Sequence, residues 1–247
     1  MRQFNGGGEE GGGAIGGDPS EQHPSQSQPY AVSSLQEKPK VADLLEGNRL
    51  VRVGMDFSCT SLGIRPIPLK HLAFYAVADA GWANAKDQAS QAGWIFLAGD
   101  EKIRSGRWGW SSHRLARKVP SSLAAETLGV DEGLANGIYL RSMFAQLAFP
   151  GLTARTAPEA GRIFPLTVVT DSKCLYDHLY NISAGPSKDR RTALDIAILK
   201  ESMKDNEGKI RWVDGKRHQI TDPLTKRNGC ADLLRGILQK GMFVVVE

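Results

Sequence analysis

The chain is poor in cysteine, with only Cys59, Cys174 and Cys230 among its 247 residues. The number is odd, the spacing is wide and no CxxC pair occurs, which argues against a disulfide framework and a structural zinc site and fits a reducing compartment. No apolar run approaches the roughly 18 residues that a membrane span needs. Nor does a basic-then-apolar leader open the chain, so a secreted or membrane-bound protein is not expected and a cytoplasmic or nuclear one is. No large excess of either charge is present: Lys plus Arg number 31 and Asp plus Glu 27, a net +4. That balance permits nucleic-acid binding without demanding it. Aromatic residues are only 7%, yet hydrophobic residues reach 41%, enough to bury a core.

Large apolar residues are almost absent from residues 1–40, where Gly, Ser, Gln and Pro predominate. Such a segment cannot offset the entropy of ordering its backbone and reads as a disordered tail. A short helix is expected in VADLLEGNRLVR, where Val41, Leu44, Leu45 and Leu50 recur at near-helical spacing. The folded domain is expected to begin at residue 67. Strands are expected in HLAFYAVADA and in the two halves of QAGWIFLAGDEKIRSGRWGWS, joined by a turn at Ala98-Gly99-Asp100. A long helix from Ser121 to about Leu147 follows, then a Pro/Gly-punctuated connection, and then the short strand LTVVT. Helices at about 172–180 and 187–204, a strand at 209–213 and a last helix in CADLLRGILQK, ended by Gly241, complete the reading. A strand meander followed by alternating strands and helices predicts an α/β fold with a mixed sheet and helices on its faces.

Four carboxylates stand beside apolar segments: Asp79, Glu126, Asp171 and Asp222. Glu126 carries the clearest signal. At about 100° per residue from Leu123, Val130 falls at about −20°, Leu134 at about +20° and Glu126 at about −60°, so Glu126 lies along the apolar stripe. Gly133 and Gly137 beside it would let the helix lie close to a sheet. A carboxylate so placed costs several kcal/mol unless it is protonated, paired or bound to a cation; the plainer alternative is a stripe-edge Glu reaching water. Asp79 also reads as a turn former before Ala80-Gly81. Asp171 reads equally as a helix cap, and so does Asp222 before Pro223. Taken together, Asp79 and Asp171 close strands, where functional groups of open α/β sheets gather. Converging carboxylates repel unless divalent cations neutralise them. All-oxygen donors favour Mg²⁺, or Mn²⁺ as substitute, over zinc.

These residues sit in DAGWANAKDQASQAGWIFL, WSSHRLARKVPSSLAAETLGVDEGL, VVTDSKCLYDHL and RWVDGKRHQITDPLTKR. In that order the segments resemble the ribonuclease H domain of copia-type LTR retrotransposon Pol polyproteins, over about residues 70–245. The family's four patterns are met by Asp79-Ala80-Gly81-Trp82-Ala83, Ser122-Leu123-Ala124-Ala125-Glu126, Val168-Val169-Thr170-Asp171-Ser172 and Thr221-Asp222-Pro223-Leu224-Thr225-Lys226. Thr221 replaces the usual Ala, and Cys174 stands where the third pattern ends in Ser or Gly. The resemblance implies a ribonuclease H-like fold: a five-stranded mixed sheet of order 3-2-1-4-5 with helices on both faces. It implies that Asp79, Glu126, Asp171 and Asp222 are both catalytic and metal-binding, holding two Mg²⁺ ions that serve hydrolysis of the RNA strand of RNA–DNA hybrids. Residues 41–66 then read as a remnant linker from a reverse transcriptase, a possible partner domain, and 67–247 as the nuclease domain. No YxDD-type polymerase motif is present. The alternative is a catalytically decayed retroelement remnant that binds nucleic acid or a polymerase. His218, only four residues before Asp222, reads as an exposed loop histidine and is left out of the catalytic set.

A basic stretch precedes the Glu126 helix. Arg107, Arg114, Arg117 and Lys118, with His113, are placed to meet phosphates of a hybrid, as are the hydroxyls of Ser121, Ser122 and Ser172 and the helix N-terminus. The alternative is a solvated basic loop. Trp108 and Trp110 alternate, so one sheet face is expected to bury both.

Overall fold

A computed structural model describes residues 40–56, 58, 66–100, 106–180, 185, 187–226, 231–241 and 243. The tail expected over 1–40 lies outside these residues apart from Lys40, as do Cys59, Cys230 and most of the stretch joining 56 to 66.

Five strands form one sheet: β1 (Ala73–Gly81), β2 (Gln91–Gly99), β3 (Gly106–Arg114), β4 (Leu166–Thr170) and β5 (Gly208–Trp212). Their spatial order is β3-β2-β1-β4-β5. The pairs β1–β2 and β2–β3 are antiparallel, whereas β4 runs parallel to both β1 and β5. The mixed sheet is what the element pattern predicts, and the 3-2-1-4-5 order is what the resemblance implies.

Alternation along the strands divides the core into two layers. Phe74, Ala76, Ala78, Phe96 and Val168 pack with Val130, Leu134, Leu175 and Leu199 of helices on one face. Val77, Ile95, Leu97 and Val169 pack with Ile220, Ile237 and Phe243 on the other. The first face is crossed by α2 (Ser122–Ala148), 27 residues long, after α1 (Val41–Asp56) earlier in the chain. Ser121 caps α2, its side chain accepting the Ala124 N–H at 3.2 Å. A one-turn spacing of glycines lets α2 press on β1. A methyl at Gly129 would stand 3.2 Å from the Ala80 Cβ, one at Gly133 3.1 Å from the Ala78 Cβ, and one at Gly137 3.1 Å from Leu166. The remaining helices are α3 (Ala157–Gly161), α4 (Lys173–Tyr180), α5 (Arg190–Asp205), α6 (Gly215–His218), α7 (Asp222–Thr225) and α8 (Asp232–Lys240).

Several expectations need correction. β1 continues two residues past Asp79, because Ala80 and Gly81 keep their ladder with Ala92 and Gln91. β2 likewise runs through Ala98 and Gly99, so no turn forms there. Three short helices, α3, α6 and α7, lie where connections were read, each too brief to show periodicity. Trp110 is 48% exposed and not core; the Trp108 side chain lies outside the described residues. The helix expected at 41–52 is present and extends to Asp56, with Val41, Leu44, Leu45, Val51 and Met55 exposed. Among the described residues, no helix is long and apolar enough to cross a membrane.

Candidate metal centre

The parallel register of β1 and β4 builds the site. Val77 pairs with Val169, so Asp79, two residues on in β1, and Asp171, the residue just after β4, are carried to the same end of the pair. On its other side Asp79 faces Gly93, which adds no side chain. Ala78 and Ala80 meet α2, and alternation turns Asp79 to the opposite face, where the Thr225 hydroxyl of α7 donates to its Oδ2. Glu126, on the second turn of α2, supplies the third carboxylate.

Asp79, Glu126 and Asp171 each place a carboxylate oxygen so that all three atoms lie within 4.8 Å of one another. Asp79 is 1% exposed. Its Oδ1 and the Glu126 Oε2 are buried without a hydrogen-bond partner. Burial, and then the charges of Asp171 and Asp222, push the Asp79 carboxyl up to about 6 against the pull of Lys226 and Thr225. Burial, then Asp79 and Asp171, hold Glu126 well above the usual carboxylate range, opposed by Lys226 and a backbone hydrogen bond from Ala80. Two orphaned buried oxygens in a group of three carboxylates, Asp79 buried and Glu126 and Asp171 half-buried, are what a hard divalent cation satisfies, and with no sulfur or nitrogen donor in the group the set suits Mg²⁺ or Mn²⁺.

Asp222 stands outside this group. It is the first residue of α7, its Oδ1 2.5 Å from the Lys226 Nζ one turn later, and the same ammonium lies 3.6 Å from the Asp79 Oδ2. Burial opposes the lysine's charge, yet Asp79 and Asp222 together hold its pKa above the usual value. None of the three aspartates acts in the plainer way the sequence left open. Asp79 is inside a strand rather than in a turn. Ser172, not Asp171, caps α4, accepting the Leu175 N–H at 3.4 Å. Thr221 holds the cap position before Asp222, without a side-chain bond.

Other residues hold the site in ways no local sequence signal marked. Gln219, buried, donates from Nε2 to the Ala78 carbonyl at 3.1 Å and to the Asp171 Oδ1 at 3.2 Å. Its own Oε1 accepts from the Thr221 hydroxyl at 2.7 Å, which fixes the amide's orientation. Trp212 Nε1 donates to the Asp171 carbonyl at 3.0 Å. Gly215 lies so close that a methyl there would overlap the Asp171 carboxylate. Thr225 and Lys226 stood inside a quoted motif, but their roles appear only when α7 is seen beneath β1.

The basic stretch is partly spoken for. His113 Nε2 pairs with Glu132 at 2.6 Å, and that hydrogen bond raises its pKa. Arg117 pairs with Asp195 of α5. Arg114 and Lys118 are exposed, as is Ser122, while Ser121 is used as the cap and Ser172 caps α4. The Arg107 side chain lies outside the described residues. A cleft of about 400 Å³ between the α2 and α5 N-termini is lined by Arg117, Lys118, Arg191 and Asp189 among others. His218 is not an exposed loop residue: it ends α6, half-buried, with its Nδ1 buried and without a partner.

No family model matches the chain, and no curated protein does. Among solved structures, the N-terminal ribonuclease H domain of a Mycobacterium tuberculosis protein, fused to maltose-binding protein, aligns at 17% identity and TM-score 0.40, over 62% of this chain and 91% of that one. A ribonuclease H1 isolated from compost by a metagenomic approach aligns at 14% identity and TM-score 0.43, over 64% and 95%. The prototype foamy virus ribonuclease H domain aligns at 19% identity and TM-score 0.33, over 70% and 94%. At such scores these are distant likenesses, and what the site can do follows from its own geometry.

Proposed function

We propose that this chain is a metal-dependent endonuclease that hydrolyses the RNA strand of RNA–DNA hybrids, the ribonuclease H domain of a copia-type Pol polyprotein. One observation carries the reading: three carboxylates with two orphaned buried oxygens, brought together by Asp79 inside β1, Asp171 just after β4 and Glu126 on α2. The choice of hybrid and of RNA strand rests on the four sequence motifs, and the exposed apolar residues of α1 support the view that 41–66 once joined a reverse transcriptase.

Asp79, Glu126 and Asp171 would hold the cations, with Asp222 at the margin. A pair of divalent ions bound there would supply a nucleophilic water and stabilisation of the leaving phosphodiester oxygen. The chain's own groups do the rest. β1 and β4 hold Asp79 and Asp171 rigidly side by side, and Gln219 and Trp212 keep Asp171 from turning away. Glu126, on the rigid α2, comes in from a second element. Arg114 and Lys118 lie exposed ahead of α2, where they would meet phosphates and make affinity fall with salt.

A labelled RNA–DNA hybrid incubated with purified protein tests this. Cleavage of the RNA strand with Mg²⁺ or Mn²⁺, and none with chelator, is expected. An intact hybrid across a range of both metals would overturn the proposal and leave the decayed remnant in its place.

A further inference from the structure

Lys226 is the one cation the structure places against the carboxylate cluster itself, among the described residues. Its ammonium lies 3.6 Å from the buried Asp79 Oδ2 and 2.5 Å from the Asp222 Oδ1. Its backbone N–H also donates to the Asp222 carbonyl, closing α7, so Lys226 and Asp222 are fixed to one another by the turn that carries both. Asp79 Oδ2 accepts from the Thr225 hydroxyl and is ion-paired with the Lys226 ammonium of this turn, whereas Oδ1 has no hydrogen-bond partner. The turn therefore supplies positive charge to one edge of a crowded acidic group and leaves the other edge unsatisfied.

Resting on the reading of Asp79, Glu126 and Asp171 as a metal site, we infer that Lys226 is the resident counter-cation of the metal-free cluster, competing with the divalent ion and holding Asp222 aside until that ion binds. Without the lysine, three carboxylates within 4.8 Å, and Asp222 beside them, would repel one another with no internal compensation. With it, the metal-free fold is tolerable but each binding event has to displace or outweigh a positive charge already in place. Release of Lys226 from Asp222 then frees a fourth carboxylate next to the site. The lysine is thus a positioning residue that sets metal affinity, and it needs no contact with substrate.

Calorimetric titration with Mg²⁺ alone, on the wild-type chain, Lys226→Met and Lys226→Arg, tests the inference. Lys226→Met is expected to bind roughly tenfold tighter, from loss of one unit charge at this distance, while Lys226→Arg stays near wild type. Its metal-free melting temperature should fall by several degrees, and its gain on saturating Mg²⁺ should exceed the wild-type gain. Wild-type binding with an unchanged or weaker affinity in Lys226→Met would overturn the inference alone. No binding by any of the three chains would overturn the metal reading and this one with it. Should Lys226→Met fail to fold, acylation of Lys226 in the wild-type chain, read by peptide mass spectrometry, decides the matter. A severalfold faster reaction with saturating Mg²⁺ supports displacement, and an unchanged rate contradicts it.

Discussion

Helix α2 carries charge into the interior at both of its ends, and the two ends treat that charge in opposite ways. Near the C-terminus, Arg141 is 1% exposed and its Nε is buried without a partner, yet Nη2 donates to the Asn206 carbonyl at 3.1 Å and Nη1 to the Phe164 carbonyl at 3.4 Å, so most of its charge is met. Asn206 ends α5, so the guanidinium also meets the negative end of a helix dipole. It stitches α2 to the end of α5 and to the approach to β4. Near the N-terminus, Glu126 comes up against Asp79 and Asp171, like charges with orphaned oxygens. The first arrangement completes the fold. The second costs the fold stability and makes sense as a place kept for something that is not protein.

The contrast breaks most sharply under substitution. Asp79→Asn or Glu126→Gln should lower hybrid cleavage on the order of 10³-fold, as loss of a group acting on the reacting centre does elsewhere, while leaving the metal-free melting temperature equal or higher. Arg141→Met should do the reverse. Stranding the carbonyls of Phe164 and Asn206 should cost about 3 kcal/mol in denaturant unfolding, with Mg²⁺ affinity unchanged in calorimetry. If Arg141→Met also abolished metal binding, the two ends of α2 would not be independent.

The pH dependence of stability separates them further. The folded pKa of Asp79 is about 6 against an ordinary 3.8, so the folded metal-free chain binds that proton more tightly than the unfolded chain. Its contribution is therefore fully present below about pH 4 and is lost as the pH rises through about 6, a change of about 3 kcal/mol. Unfolding of wild type and Asp79→Asn, both metal-free, should diverge across that window, and saturating Mg²⁺ should restore wild-type stability at pH 7. The smallest effect belongs to Gly215→Ala. The added methyl meets the Asp171 Oδ2 and must turn that carboxylate, so Mg²⁺ affinity should weaken roughly tenfold, about 1.4 kcal/mol, with little change in melting temperature.

The sheet was legible because its strands are long or strongly β-branched and its helices periodic. Glu126 was legible for a different reason: on the apolar stripe of a glycine-bearing helix a carboxylate has to be neutralised or bound to a cation unless it reaches water from the stripe's edge. Asp79 and Asp171 carried no such mark, since each had a plausible local use, and only the parallel register of β1 and β4 shows that they are neighbours. Arg141 was missed entirely, because its partners are carbonyls from two distant segments and a basic residue on a helix invites no question. Gln219 and Gly215 were missed likewise, as their roles are contacts with Asp171 made across the end of the sheet. The separation of Asp222 from the other three carboxylates depends on a four-residue helix below the length at which periodicity speaks.

The most direct test is diffraction from crystals grown with Mn²⁺, recorded at a wavelength where manganese scatters anomalously. The account predicts an anomalous peak within coordination distance, about 2.0–2.3 Å, of carboxylate oxygens from Asp79, Glu126 and Asp171. Well-ordered crystals saturated with Mn²⁺ and showing no peak between those three side chains would contradict it.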